Sequence, residues 1–198
     1  TSNTLPNTAI VQSLQYRLIC SPRPNIAKQL SVLKENKRNP MINHTIPPVY
    51  DANSRILVLG SFPSVKSREQ QFFYGHKQNR FWKVLAGILG CEVPHTIEEK
   101  KAMLIANHIA VWDVIKSCEI EGSSDASIRD VIPNDLSEIL KTADIQTIYT
   151  NGGKAYELYC KYIYPVNGIK AHKLPSTSPA NAGYSLERLK EAWAKIKE

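Results

Sequence analysis

Four short apolar runs constrain this chain more than any other feature. Arg55–Leu59, Ile109–Val114, Ile145–Tyr149 and Ile169–Leu174 are bounded by turn residues and read as buried strands. Helical stretches separate them. Asn79–Leu89 is closed by Gly90, and Thr96-Ile-Glu-Glu heads a capping-box helix to about Asn107. Asn134 or Asp135 caps a short helix to Lys141, Gly152–Tyr162 is helical, and Ser185 with Glu187 opens a last helix to Lys197. Strands alternating with helices predict an α/β fold of three layers, αβα, around a central, mostly parallel four-stranded sheet.

In open sheets of this kind the ligand lies beyond the carboxyl ends of the strands. Each run here ends in a polar or Gly/Pro-rich junction: Gly60–Ser64, Trp112-Asp113, Thr150-Asn-Gly-Gly153 and Pro175-Ser-Thr-Ser-Pro-Ala-Asn181. Four such junctions on one edge make a site.

A chain of 198 residues has room for one domain, residues 41–198, preceded by an extension. Residues 1–40 carry Ser/Asn/Pro punctuation and one short helix-like stretch, Ile26–Glu35, and are expected to be weakly structured. Met41 reads as an alternative start, with a basic DNA-gripping arm as the other reading of the segment. No apolar run approaches the roughly 20 residues needed to span a bilayer, and the N-terminus lacks a secretory layout, so the expectation is a cytoplasmic protein. The four cysteines lack the close spacing of metal sites and are expected to be reduced and buried.

The formal net charge is +7, of which residues 1–40 supply +5. Within the remainder, Lys66, Arg68, Lys77, Arg80 and Lys83 face only Glu69 across residues 66–83. The basic concentration therefore falls on the loop after the first strand.

That loop holds the chemistry. Gly60-Ser61-Phe62-Pro63-Ser64 can present backbone N–H groups to an anion or carbonyl, and it is neither a hydrolase elbow nor a Walker loop. Of Phe72, Phe73 and Tyr74, one suits stacking on a base, preferably Tyr74, and two suit the core. Asn79 stands where the helix begins and either caps it or reads a base, since a carboxamide donates and accepts in one plane. Asp113 either orients pocket groups or bonds the neighbouring backbone, and the role of Asp125 stays open.

Gly75-His-Lys-Gln-Asn-Arg-Phe-Trp-Lys-Val84 and Leu174-Pro-Ser-Thr-Ser-Pro-Ala-Asn-Ala-Gly-Tyr-Ser-Leu-Glu-Arg-Leu189 together resemble the uracil-DNA glycosylase superfamily. With Gly60–Ser64, Val111-Trp-Asp-Val-Ile, Gly122-Ser-Ser-Asp and Asn151-Gly-Gly-Lys, the chain is most similar to the hypoxanthine-DNA glycosylases, over residues 42–195. The resemblance implies a glycosylase-like fold and a catalytic role for Asn79. Phe62 occupies the position where most branches carry a water-positioning Asp or Asn. It implies a base pocket of Gly60, Ser61, Phe62, Pro63, Ser64 and Tyr74. DNA contacts would come from Lys77, Arg80, His172, Lys173, Ser176, Thr177, Ser178, Pro179, Ala180 and Asn181. Lys77 departs from the usual pattern, in which Pro is common.

The resulting expectation is a monofunctional, monomeric enzyme without metal or other cofactor. It would remove deaminated bases, foremost hypoxanthine, from DNA and leave an abasic site. Excision of uracil or thymine from mismatches, and lesion binding without catalysis, are the alternatives.

Overall fold

The structure is a computed structural model and describes residues 39–197; the expectation for the N-terminal extension lies outside them up to position 38. The central sheet is built from β2 (Ile56–Gly60), β3 (Ile109–Asp113), β6 (Thr147–Asn151) and β7 (Ala171–Leu174). Its order is β3-β2-β6-β7, with every neighbouring pair parallel. A four-stranded parallel sheet flanked by helices is the fold that the strand and helix alternation predicts.

Period-two alternation along the strands divides the interior between two faces. Val58, Ile109, Val111 and Tyr149 face one core, together with α2 (Phe81–Leu89), α3 (Ile97–Ala106) and α7 (Leu186–Trp193). Leu57, Leu59, Ala110 and Ile148 face the other, with α4 (Ser137–Thr142) and α5 (Gly153–Leu158). Thr96 and Glu99 form the expected reciprocal capping box on α3.

The second layer also contains a three-stranded antiparallel sheet, β1 (Met41–Asn43), β4 (Ile115–Glu119) and β5 (Arg129–Pro133), in the order β1-β4-β5. Its strands are short and partly exposed, so they lack the continuous apolar runs that mark the central sheet. A short helix, α1 (Val65–Gln70), likewise interrupts the loop after β2, with Ser64 as its cap.

Several expected boundaries shift. β6 starts at Thr147 because the N–H groups of Gln146 and Thr147 both donate to Arg55 O, at the entry to β2. The strand therefore ends on Asn151 and delivers that side chain to the sheet edge. Helix α5 ends at Leu158 and continues as a π-turn over Tyr159–Ile163, before the short helix α6 (Tyr164–Asn167). α7 gives way to a 3₁₀ turn at Ala194–Lys197. Asn134 is no cap: its buried Nδ2 donates to Asp113 O and Ile115 O, while Asp135 accepts from Ser137 N–H. Cys118 is buried as expected, but Cys91 and Cys160 are exposed.

Candidate active site

The carboxyl ends of the strands converge on a cavity of about 400 Å³. Gly60, Ser61, Phe62, Pro63 and Ser64 form one wall, Tyr74 and Asn79 another, and Ser176, Ser178, Pro179 and Ala180 close it from the loop after β7. Asp113, Asp125 and Asn151 also line it. All four junctions thus contribute lining to one site, the second through Asp113 and the third through Asn151.

Asn79 is held by its oxygen. Oδ1 accepts from Phe81 N–H at 3.0 Å and from Thr177 Oγ1–H at 2.9 Å. Because a backbone N–H can only donate, the first bond also settles which amide atom is oxygen. The two bonds fill the acceptor capacity of Oδ1, and Nδ2 has no acceptor among the described residues. Asn79 thus serves the helix start and still faces the cavity, but as a donor only. Reading a base with donor and acceptor together, one of its sequence-based roles, does not fit this geometry.

Thr177 is the link that fixes it. This residue is fully buried, accepts from Asn151 Nδ2 at 2.9 Å and donates its N–H to Asn151 Oδ1 at 2.9 Å. Its expected phosphate contact is therefore replaced by a positioning role, because the hydroxyl points inward between two asparagines. Gly152 follows at φ 102°, a conformation that favours glycine, and its N–H donates to Leu174 O at 2.9 Å. Strand ends β6 and β7 are joined at this point, which brings Asn151 under Thr177.

Arg80 also departs from its expected role. Its guanidinium donates to the carbonyls of Thr177 (3.3 Å), Ser178 (2.6 Å), Asn181 (3.0 Å) and Tyr184, while its own N–H donates to Thr177 O at 3.1 Å. A planar fork matches several carbonyls at once, so the side chain clamps the loop from within. Asn181 Nδ2 closes the same loop on Ser176 O at 2.9 Å, and Ser176 and Ser178 hydroxyls accept from Ser178 and Ala180 N–H. Trp193 anchors its base through Nε1–H to Pro175 O at 2.9 Å. Pro179 and Ala180 are left exposed at the tip; Lys77, His172 and Lys173 are exposed too, with His172 against the Tyr149 ring and Lys173 over that of Tyr156. Of the cations at 66–83, Lys66 pairs with Glu69 at 2.7 Å and Arg68 donates to Pro63 O at 2.7 Å. Lys77 and Lys83 are exposed without a protein partner among the described residues.

Phe72 and Phe73 are core residues. Tyr74 has one face stacked on Phe81, with ring centroids 3.8 Å apart at 21°, so only its other face is available to a base. Its backbone sits at φ 53°, sparsely populated for a bulky residue. The Tyr74 hydroxyl is buried without a hydrogen-bond partner of normal geometry, although Asn151 lies near it. Burial first, and the Asp113 carboxylate second, hold it well above the ordinary phenol pKa.

Asp113 is 3% exposed, and its Oδ2 lies 2.9 Å from His44 Nε2. His44 Nδ1 accepts from Ile46 N–H at 3.2 Å, so the ring proton is on Nε2 and is donated to Asp113. Sequence reasoning missed His44. It lies 69 positions from its partner, in a segment without periodic signal. Asp125 accepts from Ser61 Oγ at 2.8 Å; crowding of its carboxyl raises its pKa, Ser61 offsets part of this, and the residue as a whole remains exposed. Among the described residues no group of three or more His, Cys, Asp or Glu side chains could hold a metal ion. Nor is any described helix long and apolar enough to cross a membrane.

A cavity at the carboxyl end of a parallel sheet, with an oriented amide donor and a loop clamped by Arg80 beside it, can take in a flat polar group. Residues 47–197 match the model of the uracil DNA glycosylase superfamily. The chain belongs to that superfamily and is an enzyme of the DNA glycosylase class. It is 36% identical over 153 residues to a hypoxanthine DNA glycosylase of Methanosarcina acetivorans, covering 76% of this chain and 96% of that one. A hypoxanthine DNA glycosylase of Methanosarcina barkeri is 35% identical over 150 residues, covering 75% and 93%. The solution NMR structure of a Methanosarcina acetivorans protein assigned as a uracil DNA glycosylase is similar with a TM-score of 0.68 and 34% identity, covering 80% of this chain and 98% of that one.

Proposed function

We propose that this enzyme hydrolyses the N-glycosidic bond of hypoxanthine in DNA, acting as a cytoplasmic, cofactor-free monomer that leaves an abasic site. The observation that carries the reading is Asn79: its oxygen is occupied on both lone pairs and its Nδ2–H groups are left for the cavity. Departure of a 6-oxopurine from the sugar leaves negative charge on the base, spread to O6. A fixed N–H donor bonds that oxygen more strongly as the charge grows, which lowers the barrier. The names of the two Methanosarcina relatives support hypoxanthine as the base.

The duplex cannot supply its base to such a cavity without extruding the nucleotide. Tyr74 offers one ring face to the extruded base, and Ser61–Ser64 line the opposite side. Pro179 and Ala180, held rigid by Arg80, fill the gap left in the stack, a shallow plug without a bulky tip. Lys77, His172 and Lys173 take the flanking phosphates. These assignments separate in solution. Lys77→Ala should weaken binding to every duplex sequence alike and lower the slope of log K against log salt by about 0.9. Arg80→Ala should leave that slope unchanged and cost about 2 kcal/mol of stability, because buried loop carbonyls lose their donor. Paired salt titrations and urea melts of the two variants check this.

Base preference is tested by strand cleavage after alkali, with duplexes carrying deoxyinosine or deoxyuridine. Faster release from the inosine strand, with no cleavage before alkali, supports the reading. Faster release of uracil would transfer the activity to the pyrimidine branch. Binding without release from either would leave a lesion binder.

A further inference from the structure

We infer that Asp113, held by His44, positions and deprotonates the water that attacks the sugar; this rests on the glycosylase reading above. Phe62 lines the cavity from the first strand junction but is apolar, with its ring edge-on to His44 at 6.0 Å. It can neither bind nor polarise water. The next strand provides what Phe62 lacks.

Asp113 is the register partner of Gly60 at the carboxyl end of β3. One carboxylate oxygen, Oδ2, is bound by His44 Nε2–H at 2.9 Å. The other, Oδ1, has no protein donor and is not sealed from the cavity, which Asp113 lines. Oδ1 reaches over Gly60 so closely that any Cβ there would overlap it, and the same point lies 3.4 Å from Tyr74 Oη. Tyr74 Oη is the buried side-chain oxygen left unpartnered among the described residues. Tyr74 Oη is sealed from the cavity, so Oδ1 is the acceptor on this side of Gly60 that a cavity water can reach. A water in the cavity donates to Asp113 Oδ1 at ordinary hydrogen-bond length, about 2.8 Å.

The reaction balances on these groups. The N9–C1′ bond breaks and its electron pair stays on the purine, whose oxygen is bonded by Asn79. The water oxygen forms the new bond to C1′, and the proton it loses passes to Asp113 Oδ1. That proton is released to solvent, and the purine anion takes one up to leave as neutral hypoxanthine. His44 acts as a positioning residue, since its fixed tautomer keeps the carboxylate turned toward Gly60.

The test is single-turnover hypoxanthine release from an inosine duplex by the full chain. Asp113→Asn keeps an acceptor for His44 but is a poor proton acceptor, and should lower the rate about 100-fold while duplex affinity stays within about threefold. Asp113→Ala should lose as much and regain at least about tenfold on addition of formate, a carboxylate small enough for the vacated space. Asp113→Asn with a rate near that of the parent overturns the inference, as does an Asp113→Ala variant that is slow and indifferent to formate. A parent protein that releases no base would instead remove the glycosylase reading on which the inference depends.

Discussion

Asn79→Asp is expected to lower the single-turnover rate of hypoxanthine release by about 1000-fold, the upper range for loss of one oriented donor at a developing anion. The substitution is nearly isosteric. A carboxylate still accepts from Phe81 N–H and Thr177 Oγ1–H, so the start of α2 and the link to Asn151 are preserved. What disappears is the Nδ2 donor, and in its place a negative charge faces the departing base. Asn79→Ala removes the donor without adding that charge, and about 100-fold is expected there. The ordering of the two variants matters, because a residue that only caps the helix would show the reverse: Asp caps well and Ala poorly. Rapid-quench assays and urea melts on both proteins decide between these roles.

The second large effect comes from a single carbon. Gly60→Ala places a Cβ onto Asp113 Oδ1 and within 3.4 Å of Tyr74 Oη. Gly60 does not have the positive φ that would make the backbone itself demand glycine, so the cost is one of space. Either the carboxylate leaves His44 or β2 and β3 part at their carboxyl ends, and overpacking of this kind costs about 1–3 kcal/mol. A displacement near 1 Å in the catalytic constellation can lower activity about 100-fold. Gly153→Ala is the matched control. An added Cβ there meets nothing within 4 Å, and the position opens α5 without a positive φ. Its melting temperature and activity should match the parent's.

The central sheet was legible because each of its strands is an apolar run terminated by turn residues, and parallel order follows when helices intervene. The small sheet β1-β4-β5 was not legible for the same reason in reverse. Met-Ile-Asn and Ile-Lys-Ser-Cys-Glu mix polar and apolar residues, and their pairing depends on partners remote in sequence. The site divides along similar lines. Glycine and asparagine at strand ends mark where a ligand can approach, and the cavity lies there. Arg80 and Thr177 looked like phosphate contacts because a cation and a hydroxyl beside basic loops suit that task. Only their contacts with each other's segments, 97 positions apart, turn them inward. His44 and Asp113 carry the same lesson across 69 positions: a residue's chemistry is in the sequence, but its partner is supplied by the fold.

The central claim is that Asn79 donates to a purine leaving group in this cavity. Its most direct test is chromatographic measurement of the free base released from inosine-containing duplex by the parent protein and by Asn79→Asp, at equal DNA occupancy. The account predicts stoichiometric hypoxanthine from the parent and about 1000-fold slower release from the variant. Equal rates from the two proteins would contradict it.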